Sequence, residues 1–75
     1  MARLRLAAMR EKGTIKTYFD DRGFGFIRRV GCPDVFFHCS QVGTEGDRQI
    51  TVGALVEFEI VQADKGLRAV MVTLL

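Results

Sequence analysis

Four side chains able to stack stand two apart in two short stretches of the sequence. They are Phe24 and Phe26 in "RGFGFI", residues 22–27, and Phe36 and His38 in "DVFFHC", residues 34–39. Residues two apart in a strand share a face. Phe24 and Phe26 therefore share one side, with Gly25 and Ile27 on the other, and Phe36 and His38 oppose Val35 and Phe37. If Ile27 and Val35 face the core, the second aromatic set must meet solvent, a partner or a ligand. Unpaired nucleobases are ligands of the right kind, because each offers two π faces and stacking one on a ring contributes roughly 1–3 kcal/mol. In duplex those faces are taken by neighbouring bases, so such a platform favours single strands.

Charge supports the same reading through its distribution. The net charge is only +2, which argues for no polyanion by itself. Residues 1–30 hold eight basic and three acidic residues, a balance of +5, whereas residues 31–75 hold three basic and six acidic ones, a balance of −3. Tyr18, Phe19, Phe24, Phe26, Phe36 and Phe37 crowd one span, and Phe58 alone lies apart. Positive charge and rings in the same part of a chain suit a polyanion with stackable groups.

Other chemistry finds little support. Cys32 and Cys39 lack metal-ligand spacing, and His38 beside Cys39 points the opposite way in a strand. Two free thiols in a reducing cytosol is the expectation. Asp20, Asp21 and Asp34 read as turn acids, which turns favour for backbone reasons. There is no nucleophile with a base, no phosphate loop and no metal set, so neither an enzyme nor a cofactor is expected. The stretch "LRLAAM" is too short for a signal core and is broken by Arg5. No segment is long and apolar enough to span a membrane, and a cytoplasmic protein is expected.

The elements that position these residues are short strands. At 75 residues the chain is one domain at most, and its core is small. Residues 1–12 carry four basic residues and no glycine and stand apart as a basic appendage to residues 13–75. From Gly13 the pattern predicts strands over 14–19, 23–29, 34–39, 54–61 and 67–74, separated by turn residues. Residues 40–53 form a long polar loop with Val42 and Ile50 as core anchors. In the fourth strand Glu57 and Glu59 face water, which turns Val56, Phe58 and Ile60 inward. An all-β fold follows: a small, closed, five-stranded antiparallel barrel, whose closure removes exposed edges.

Residues 13–74 resemble the bacterial cold-shock domain, an oligonucleotide-binding (OB-fold) barrel, without a gap. "GFGFI" (23–27) is similar to the family's first ribonucleoprotein motif and "DVFFHCS" (34–40) to its second, while "VEFEI" and the "KG" before the last strand fall at the family's places. The resemblance implies binding of single-stranded RNA or DNA, sequence-tolerant with a pyrimidine-rich preference, as an RNA chaperone or a transcription or translation modulator. It places Phe24, Phe26, Phe36 and His38 in the stacking platform, with Lys16 and Arg22 near phosphates and Lys65 and Arg68 touching the strand from the last loop.

The departures lie where rings are expected. The family's first-strand tryptophan falls on Thr17, with Tyr18 in the next aromatic slot and Phe19 in a usually polar one. Cys39 and Asp47 occupy two further aromatic positions. A one-residue bulge would let Tyr18 and Phe19 substitute for the first, so both are candidate binding residues. Weaker binding on a shorter site is expected. The alternative is a barrel whose aromatic face meets protein, including a homodimer made by strand addition or swapping through "RLRL" (3–6) or "MVTLL" (71–75).

Overall fold

The computed structural model describes residues 10–43 and 49–75; the "RLRL" stretch and Asp47 lie outside the described residues. Five strands carry the fold: β1 (Glu11–Phe19), β2 (Phe24–Arg29), β3 (Cys32–His38), β5 (Leu55–Ala63) and β6 (Gly66–Leu74). A two-residue strand, β4 (Val42–Gly43), follows a single 3-10 turn at Cys39–Gln41. β1 begins at Glu11, so the last two residues of the leading segment pair in the sheet, Glu11 opposite Phe58 and Lys12 opposite Glu57. No helix among the described residues is long and apolar enough to cross a membrane.

The sheet runs β3-β2-β1-β5-β6-β4, and β3 also pairs with β6 to close the barrel. The meander and the β5–β6 hairpin are antiparallel as expected. Closure departs from that expectation: β3 and β4 both meet β6 in parallel. Tight turns need residues that tolerate positive φ, and Gly23 (φ 75°) and Gly31 (φ 77°) supply them at the ends of the β1–β2 and β2–β3 connections. The backbone N–H of Gly23 donates to the Phe19 carbonyl at 2.7 Å, which fixes the first of these turns.

The interior follows the alternation. Ile15, Ile27, Val35, Phe37, Val56 and Phe58 are all buried, joined by Ala69, Val72 and Leu74 from β6 and Val42 from β4. Val42 thus acts as the loop's first anchor, and Ile50 packs against the cluster from the far end. Burying a side chain of this size contributes about 1.5–3 kcal/mol, so the inward row alone fixes the register of β2 and β3. Glu57 and Glu59 face outward, where Arg10 meets their carboxylates at 3.4 and 3.5 Å.

Candidate nucleic-acid interface

The outer face of β1, β2 and β3 is built by the same alternation. With Gly25 and Ile27 buried on β2 and Val35 and Phe37 buried on β3, the side chains of Phe24, Phe26, Phe36 and His38 stand on the other side, half-buried against one another. Strand pairing then aligns them: Phe24 lies opposite His38 and Phe26 opposite Phe36.

β1 reaches this face through a bulge. Ile15 pairs with Ile27 and Thr17 with Phe26, which leaves Lys16 as an extra residue. One extra residue inverts the side-chain phase. Ile15 and Tyr18 both pack toward the core, while Thr17 and Phe19 stand beside Phe26 and Phe24. Phe19 therefore joins the platform. Tyr18 stands apart from these rings: its ring stacks on the buried Phe37, centroids 5.9 Å apart and 12° from parallel. Partial burial of the phenol, with Cys39 and Asp20 nearby, raises its pKa above the ordinary tyrosine value.

The rings form one connected patch. Phe19 lies 5.1 Å from Phe24, Phe24 lies 5.6 Å from Phe36 in an offset stack, and Phe26 meets both edge-on at 6.1 and 6.0 Å. Such tilted and edge-on contacts are favoured by the ring quadrupoles. Gly25 lies behind the patch rather than beside it. A Cβ there would run into the Thr17 carbonyl oxygen and the Phe37 ring, so its bareness serves the close approach of β1 and Phe37.

Polar groups rim the patch. His38 accepts the Ser40 backbone N–H at Nδ1, 3.1 Å away, with the Ser40 hydroxyl at 2.9 Å; this places the neutral ring's proton on Nε2. Arg68 holds its guanidinium 5.3 Å from the Phe36 ring centre, a favourable cation–π placement. Lys65 lies with Arg68 along the same cleft, and Arg22 is exposed in the β1–β2 turn. Lys16 is tied to Asp34, Nζ to Oδ2 at 3.0 Å. Arg28, not singled out from the sequence, is exposed at the next outward position of β2 after Phe24 and Phe26; its spacing of two was the available signal. Thr17 and Cys39 bring no ring to the patch. Among the described residues, no group of three or more His, Cys, Asp or Glu side chains is placed to hold a metal ion.

Comparison with known proteins agrees with this architecture. The "'Cold-shock' DNA-binding domain" family model matches residues 11–75. Cold shock protein CspA of Staphylococcus saprophyticus is 42% identical over 59 residues, covering 79% of this chain and 89% of the relative. Cold shock-like protein CspLB of Listeria monocytogenes is 43% identical over 63 residues, covering 84% and 96%. Among solved structures, a Drosophila Unr fragment designated CSD456 superposes with a TM-score of 0.75 at 35% identity; the match covers 89% of this chain and 27% of that larger one. With its barrel, its two aromatic motifs and these relatives, the chain belongs to the cold-shock domain family of nucleic-acid-binding OB-fold proteins.

Proposed function

We propose that the chain is a sequence-tolerant, cytoplasmic single-strand RNA- and DNA-binding protein that acts as an RNA chaperone or a modulator of transcription or translation, without catalysis or cofactor. The observation that carries this reading is that Phe19, Phe24, Phe26 and Phe36 form one patch outside a barrel whose core is already filled by Phe37 and Phe58. A chain this small gains little from four rings held half in water. Stacked bases repay that exposure.

In this mechanism Phe19, Phe24, Phe26, Phe36 and His38 take the bases of a pyrimidine-rich strand, Lys16 and Arg22 approach its phosphates, and Lys65 and Arg68 touch the strand from the β5–β6 side. Trapping unpaired segments disfavours RNA secondary structure without ATP. Arg3 and Arg5, in the leading basic appendage, add salt-sensitive affinity through counterion release. Thr17 and Cys39 in place of rings make binding weaker than in a relative carrying every ring.

The test is fluorescence anisotropy with labelled pyrimidine-rich oligomers and a duplex of equal length. Single strands are expected to bind far more tightly, and equal affinity refutes the stacking mechanism. The double variant Phe24→Ala/Phe36→Ala should lose single-strand binding while its circular dichroism stays that of a folded barrel. No oligonucleotide binding at low salt, together with a dimer mass in light scattering, would instead assign the aromatic face to contact between protein copies.

A further inference from the structure

A cleft of about 750 Å³ opens between the edge of the platform and the β5–β6 turn. One wall is ring carbon from Phe26 and Phe36; the other carries Asp64, Lys65 and Arg68. The backbone fixes where Arg68 stands, because Phe36 and Arg68 are paired residues in the parallel β3–β6 contact. Its guanidinium lies over the Phe36 ring. None of Asp64, Lys65 and Arg68 has an ion-pair partner among the described residues. The cleft therefore offers a stacking surface, a fork of donors and a carboxylate acceptor, none of them held in an ion pair.

A base that stacks on Phe36 takes the place of the guanidinium and leaves it at the rim of the base. There the fork's parallel N–H groups match two adjacent acceptors, and a carboxylate matches two adjacent donors. The bases differ in what they present. Uracil alternates acceptor and donor, adenine sets its N6 donor beside N7, and cytosine has adjacent acceptors but one donor group. Guanine alone presents an adjacent acceptor pair, O6 and N7, together with an adjacent donor pair, N1–H and N2–H.

We infer that this cleft is a base-reading subsite that selects guanine, with Arg68 on O6 and N7 and Asp64 on N1–H and N2–H. The inference rests on the single-strand reading above and adds one specified position to an otherwise tolerant site.

The test uses a labelled oligouridylate and variants carrying one guanosine, adenosine or cytidine, moved through every position. One register is expected at which guanosine binds tighter than uridine by roughly 5- to 150-fold, the range of a good bidentate contact. Arg68→Gln and Asp64→Asn should each bring that guanosine-to-uridine ratio toward one. Lys65→Gln should weaken all the oligomers alike and leave the ratio standing. Equal gains for the other bases, or a guanosine gain that survives Arg68→Gln, overturn the subsite while leaving single-strand binding in place. Failure of every oligomer to bind removes the single-strand reading itself, and the subsite with it.

Discussion

The ring of Phe19 lies 5.1 Å from that of Phe24 across the β1–β2 pair, at a position that unbroken alternation from the buried Ile15 would have aimed into the core. The bulge at Lys16 brings it out and turns Tyr18 in. Exchanging which of two adjacent aromatics faces out moves one stacking surface without changing composition.

On the proposed reading this exchange makes Phe19 a ring that takes a base. Phe19→Ala is expected to lower single-strand affinity by about 1–3 kcal/mol, the worth of one stacked base. Folding stability should change little, because the ring is 43% exposed. Thr17→Trp should do the opposite, adding a ring beside Phe26 and raising affinity by a similar amount. Titration of one oligomer against both variants measures the two effects. No change with Phe19→Ala would remove Phe19 from the site.

Gly25 answers to packing instead of binding. An alanine Cβ would overlap the Thr17 carbonyl oxygen and press on the Phe37 ring, and neither has room to yield in a filled core. Overpacking of this sort costs about 1–3 kcal/mol, more where backbone is struck. Gly25→Ala should therefore lower the thermal midpoint by about 4–8 °C for each kcal/mol lost. An unchanged midpoint would show that the strands can spread at no cost.

Much of this was legible in advance because it depends on a period of two. Ile27 and Val35 inward set Phe24, Phe26, Phe36 and His38 outward, and Val56 and Phe58 inward set Glu57 and Glu59 outward. The bulge was visible only as a means by which Tyr18 and Phe19 could both reach the face. Nothing local marks where an extra residue sits, since its position is settled by pairing with β2 and packing on Phe37. Parallel closure and the placement of Arg68 over Phe36 were hidden for a related reason. Both join residues about thirty positions apart, and no window along the chain contains them together.

Tyr18 gives the inward turn a spectroscopic signature. It is the chain's one tyrosine, and tryptophan is absent, so phenolate absorbance reads it alone. Partial burial raises its pKa above the ordinary value of 10.0. A pKa raised on folding means that the neutral phenol favours the folded state. That contribution is complete below about pH 10 and is lost as pH climbs through the folded value. The absorbance midpoint should lie higher in the native protein than in denaturant. Tyr18→Phe, which keeps the ring on Phe37, should lose less stability over that alkaline range than the parent protein. Identical midpoints in both states would place the hydroxyl in open water.

The pair of Lys16 and Asp34 holds a cation in reserve. Their 3.0 Å contact joins side chains that are 57% and 33% exposed, so it contributes at most about 1 kcal/mol to stability. While paired, Lys16 carries a neutralising neighbour and releases fewer counterions from a bound strand. Asp34→Asn frees it and removes a negative charge beside Phe36. Affinity at low salt should rise, and the dependence of log K on log salt should steepen by about 0.7, the value of one phosphate contact on a single strand. Lys16→Gln should flatten the slope or leave it unchanged, according to how far Asp34 already cancels the charge. The double variant should share the salt slope of Lys16→Gln, because no lysine is left for Asp34→Asn to release, while its affinity keeps the gain from the removed carboxylate. If Asp34→Asn steepens the slope just as much in the Lys16→Gln background, the gain comes from removing the carboxylate alone, and Lys16 is a solvated charge at the edge of the barrel.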